Sequence, residues 1–162
     1  MSAGGESIDI FGRNVKGRNY YAESRRLRRE ALDMAEALKG KPMRFVAVNG
    51  ITMDVEITKS DIKTIVSKNT QNNKFNAFKN ALAKDLKGFI TKGTYEGWRD
   101  VIEGKHSESA YFTYNSRKLG KEKAYLCLRK MKSTGRYKPY AIIDQKTFDA
   151  EIGELKKGIP PR

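Results

Sequence analysis

Histidine and cysteine each occur once in the 162 residues, as His106 and Cys127. A single thiol excludes an internal disulfide and suits a reducing compartment. One imidazole plus one thiolate cannot make a transition-metal centre, which leaves only a carboxylate-bound magnesium ion open. No apolar run approaches the length of a membrane span and no signal-peptide core opens the chain, so neither a membrane partner nor a secretory address is expected. Negative charge is also scarce. Asp and Glu number 19 against 33 Lys and Arg, a formal charge of +14, and a surface so unbalanced attracts polyanions. Nucleic acid, as RNA or single-stranded DNA, is the first partner to expect; an acidic protein would use the same charge.

The chain length suits one domain with a core of its own. Residues 1 to 23 are rich in Gly, Ser and Asn without periodicity and read as a flexible lead-in. A single domain is expected over residues 24 to 155, with residues 156 to 162 as a tail. It opens on a basic helix, with Ser24 as N-cap and Leu27, Ala31, Met34 and Leu38 on one face. Arg25, Arg26, Arg28 and Arg29 then crowd the first turn, against the helix dipole, which fits arginines kept for a partner or a solvated charged face.

Two alternating runs flank Asn49-Gly50, a pair that suits a type I′ hairpin turn over residues 43 to 57. Thr58 and Asp61 form a capping box for a helix over residues 60 to 68. Phe75, Phe78, Leu82, Leu86 and Phe89 predict a third, longer helix over residues 74 to 88. Residues 91 to 108 read as a loop with at most one helical turn near Trp98. "ESAYFTYNS", "EKAYLCLRKM" and "RYKPYAIID" then read as a three-stranded meander, with Pro139 placing the last strand at an edge or at a bulge. Thr147 is the expected cap of a short final helix through Phe148 and Ile152. The fold class is therefore α+β: an antiparallel sheet, made of the hairpin and the meander, with helices on one face.

The order of "ALKGK", the Asn-Gly turn, "VEITKSDIKTIVSK", "FNAFKNALAKDL", "YFTY", "KAYLCLRK" and "GRYKPYAIID", across residues 30 to 148, resembles the large polyvalent protein-associated domains of phages and conjugative elements. Those domains are similar to the barnase, EndoU, colicin and RelE superfamily of compact RNases. The resemblance implies a metal-independent nuclease-like fold without a cofactor, whose open sheet face holds a phosphodiester. An RNase-type effector of this kind would need an immunity partner or a delivery carrier, and its expected place is the bacterial cytoplasm or a phage particle. Relatives often carry a histidine or other polar catalytic residue on the first helix after the hairpin; Ile65, Val66, Ser67 and Lys68 stand there, a departure from that pattern.

Metal-free RNA cleavage needs a base, an acid and cations for the charge developing on phosphorus. His106 titrates near neutrality. Arg117 closes the first meander strand. In the second, Arg129 is the cation for the substrate face, because Leu126 and Leu128 claim the other face, with Lys130, for the core. Tyr125, with Tyr114 or Tyr140, supplies hydroxyls or stacking surfaces. His106, Arg117, Arg129 and Tyr125 are the candidate catalytic residues. Arg25, Arg26, Arg28, Arg29, Lys105, Tyr114, Lys118 and Arg136 are the candidate nucleic-acid contacts. Two functions fit: an RNase-type effector, or a non-catalytic module that binds nucleic acid or a protein in a particle or transfer complex.

Overall fold

A computed structural model describes residues 19–101, 104–114, 123–151 and 155–160. The fold is α+β. Helix α1 (Tyr20–Ala35) precedes a hairpin of β1 (Met43–Asn49) and β2 (Ile51–Ile57). Helices α2 (Lys59–Ser67), α3 (Asn73–Leu82) and α4 (Leu86–Lys92) follow. Strands β3 (Thr94–Asp100), β4 (His106–Tyr114), β5 (Ala124–Met131) and β6 (Tyr137–Asp144) then lead into α5 (Gln145–Glu151). The strands form one six-stranded sheet in the order β1-β2-β6-β5-β4-β3.

This sheet is mixed, which corrects the antiparallel expectation: β2 meets β6 in parallel, at the single pair Val55↔Tyr137. The meander also has a fourth strand, β3, where a loop was expected. A bulge between Tyr95 and Gly97 interrupts its alternation, and that irregularity hides the strand from a period-two reading. β6 lies inside the sheet, so Pro139 does not mark an edge; it sits beside the register shift opposite Cys127 and Leu128.

Helix α1 begins at Tyr20 because the Asn19 side chain accepts from the Ala22 amide. Ser24 is therefore an interior helix residue, its hydroxyl donating to the Tyr21 carbonyl. The arginines stand beyond the first turn, and the dipole argument for them lapses. The Thr58–Asp61 capping box is present as expected. The long third helix is broken by a 3-10 turn at Ala83–Asp85, after which Asp85 caps α4. At the last helix Asp144, not Thr147, is the cap, accepting from the Thr147 amide; Ile152 lies outside the described residues.

The hairpin turns at Asn49-Gly50, but a type I′ turn needs two positive φ angles and only Gly50 has one, at 80°. The Asn49 amide is engaged elsewhere, donating to the carbonyls of Ile90 (2.9 Å) and Gly93 (2.7 Å). That bond and the packing of Gly50 against Tyr95 bring the β1 end of the sheet round to the β3 end.

Helices α1 to α4 cover one sheet face over a core that includes Met53, Val55, Phe75, Phe89, Phe112, Leu126 and Leu128. The opposite face carries a smaller cluster of Tyr111 and Cys127 under Phe148 of α5 and Leu155, so the helices do not all lie on one side. Within the segment read as a tail, the Lys156 backbone pairs with Trp98 and the Tyr95 hydroxyl donates to the Gly158 carbonyl. No helix among the described residues is long and apolar enough to cross a membrane.

Candidate functional site

Two bulges assemble the site. Strict alternation along β4 would put His106 on the face of Glu108, Ala110 and Phe112, which is the core face. The β4–β5 register instead pairs His106 with Met131 and Glu108 with Lys130, leaving Ser107 as an extra residue. The bulge therefore turns His106 to the face of Met131 and Arg129. In β6 the register steps from Cys127↔Ala141 to Leu128↔Pro139, so Tyr140 is the extra residue. Its ring meets the Arg129 guanidinium at 3.6 Å from the centroid and the His106 ring, edge to face, at 6.2 Å.

The remaining wall comes from α2. Ile62, Ile65 and Val66 fill the core, while Asp61, Thr64 and Lys68 recur at helical spacing on another stripe. That stripe lines a hollow of about 230 Å³ with Lys105, His106, Arg129, Lys138 and Tyr140. The Lys68 ammonium stands 4.9 Å from the Tyr140 centroid. A second hollow on the other side of His106 adds Arg99 and Asp100 to Lys105 and Arg129. Across the sheet, Arg99, Ser109, Arg129 and Lys138 occupy one row of paired positions.

Both carboxylates are engaged by lysines: Asp61 accepts from Lys138 and Asp100 from Lys156, each at 2.8 Å. Lys68, Lys105, Arg99 and Arg129 then set the sign of the field. Burial, together with Arg129 and Lys105, holds the His106 pKa below its ordinary 6.5, so the imidazole is neutral at pH 7. Stacked on Tyr140, the Arg129 guanidinium is held in one plane, as anion recognition by its fork requires. The site can bind an oxyanion and present a neutral imidazole beside it. No group of three His, Cys, Asp or Glu among the described residues is placed to hold a metal ion.

The expected residues separate. His106, Arg129 and Lys105 converge. Lys105 is fixed because its carbonyl accepts from the Lys132 amide in the β5–β6 turn, the turn that also carries Arg136. Tyr125 is elsewhere: it pairs with Thr113 far along β5, stacks on Phe148 with centroids 3.9 Å apart, and donates to Gln145 at 2.8 Å. Tyr114 packs on Phe89 on the helix side. Arg117 and Lys118 lie outside the described residues.

On α1, Arg26 is spent on Glu23 and Glu30, while Arg25, Arg28 and Arg29 share another hollow. Lys68 and Arg99 were missed by the sequence reading. The helical spacing of Lys68 from Asp61 was a usable signal; Arg99 was hidden with its strand. Lys68, the C-cap of the first helix after the hairpin, reaches this cleft together with Asp61 and Thr64.

Comparison of the chain with protein-family models, with curated proteins and with solved structures returns no match.

Proposed function

We propose that this protein binds nucleic acid, RNA or single-stranded DNA, through the cleft between α2 and the bulged ends of β4 and β6. The observation that carries this reading is the convergence of Lys68, Lys105 and Arg129 around His106 and Tyr140. Phosphate contacts would come from the lysines and the guanidinium, and sugar or base contacts from the imidazole and the bulged ring. For a phage or mobile-element setting, the support is the residue pattern alone.

The test is fluorescence anisotropy with labelled RNA and DNA oligonucleotides over a salt series. Affinity should fall steeply with salt, and each cation removed from the cleft should flatten the log–log slope by about 0.7 for a single strand. Lys68→Ala and Arg129→Ala binding like the native chain would defeat the reading.

Metal-independent RNA cleavage is the second reading, favoured by the neutral His106 beside Arg129. It needs a proton donor as well as a base, and the sequence holds no other histidine; binding without cleavage therefore stands first. If cleavage occurs, it should persist in EDTA, spare DNA and leave 2′,3′-cyclic phosphate ends. His106→Ala should then lower it by roughly two to four orders of magnitude.

A further inference from the structure

A third hollow, of about 540 Å³, lies between α1 and α3. Arg25, Arg28 and Arg29 enter it from α1 at the spacing that puts three side chains on one helix face. Asn73, Asn76 and Asn80 face them from α3, Asn69 and Thr70 close one end, and Tyr21 and Ser24 complete the wall. Among the described residues no carboxylate lines it and none of the three arginines makes an ion pair.

The frame is stiff. Asn76 Oδ1 accepts from the Thr70 amide (2.9 Å) and hydroxyl (3.0 Å), and its Nδ2 donates to the Thr70 carbonyl (2.9 Å). Asn80 Nδ2 donates to the Ser24 carbonyl at 2.9 Å, tying α3 to α1. This bond orients the amide and leaves Oδ1 of Asn80, a residue 1% exposed, buried with no partner. A buried acceptor without a donor costs about 1–3 kcal/mol. Arginines without carboxylates call for an anion; an amide oxygen without a donor calls for an N–H or O–H group. Inorganic phosphate supplies the charge and, as the hydrogen phosphate dianion, a single O–H, but it is small for a hollow of about 540 Å³.

We propose that this hollow is a binding site for a 5′-phosphorylated nucleoside, distinct from the His106 cleft, with the phosphate on Arg25, Arg28 and Arg29 and the base or sugar against the asparagines. The occupant is a free nucleotide or the phosphorylated end of a strand, which share this chemistry.

The test is calorimetric titration of the full chain with AMP, inorganic phosphate and adenosine in turn. AMP should bind more tightly than either fragment. Arg28→Gln combined with Arg29→Gln should weaken AMP roughly tenfold or more, the worth of one or more charged hydrogen bonds. Asn73→Ala should also weaken it, while Arg129→Ala should not. A 5′-phosphorylated oligonucleotide that outcompetes both AMP and its 5′-hydroxyl counterpart supports the site with a strand end as occupant. AMP binding without that advantage supports it with a free nucleotide.

The proposal is overturned if millimolar AMP gives no heat, if the arginine variants bind AMP like the native chain, or if Arg129→Ala abolishes AMP binding. Loss of oligonucleotide binding at the His106 cleft, with AMP binding intact, would remove only the reading of that cleft.

Discussion

Lys79 carries an ammonium group that the fold has taken out of water: 2% exposed, it donates to the Lys68 carbonyl. Burial first, then Arg28 and Lys68, lower its pKa from 10.5 to about 8. Between those values the unfolded chain holds a proton that the folded chain has released, so stability rises with pH across that window. Native protein should therefore gain stability relative to Lys79→Met as pH is raised from 8 towards 10, read by urea unfolding at each pH. His106 also has a lowered pKa, and its contribution declines as pH falls through 6.5, where the unfolded chain protonates first. Arg129→Ala should move the His106 pKa up, followed by NMR titration of the imidazole, and should soften that acid-side loss. At this scale the sequence named His106 and Arg129, but only the bulge at Ser107 brings them to one face. It could not show that Arg26 is consumed by Glu23 and Glu30, because four arginines in five positions look alike until carboxylates at helical spacing select one of them.

Elements were legible where local chemistry decides them. The Asn49-Gly50 hairpin and the Thr58–Asp61 cap follow from side chains a few residues apart. Strand β3 and the bulge at Ser107 were not legible, since an inserted residue is visible only against the partner strand; the bulge at Tyr140 was signalled by Pro139 beside it, which lacks a ladder donor. The candidate site rests on those insertions, which is why its residues could be named from sequence while their faces could not. Gly50 ties the elements together. A Cβ there would lie 2.5 Å from Tyr95 Cδ2, with φ at 80°. Gly50→Ala should lower stability by about 1–3 kcal/mol, the usual size of a strained backbone site, measurable by thermal or denaturant unfolding. Gly104, also at positive φ but with open space around it, is the control and should lose less when changed to Ala.

Over the whole molecule the cleft and the α1–α3 hollow flank one short connection: Lys68 lines the first, and Asn69 and Thr70 line the second. With a formal charge of +14, the chain as a whole favours polyanions at low salt, and the two cation groups concentrate that attraction. Combining Lys68→Ala and Arg129→Ala with the Arg28 and Arg29 substitutions should flatten the salt dependence of long single-strand binding more than either pair alone. Equal slopes for the combined variant and one pair would mean that a long strand touches only one of the two. The single parallel pair Val55↔Tyr137 bears on how the molecule is made rather than on what it binds. Every other strand pairing joins neighbours in sequence, so the hairpin and the meander can each zip up locally with small loop-closure cost. Docking of β2 on β6, like the Trp98–Lys156 bridge, must wait for distant parts of the chain to meet. Substitutions at Val55 should therefore slow folding only if that docking lies in the transition state, and should otherwise speed unfolding.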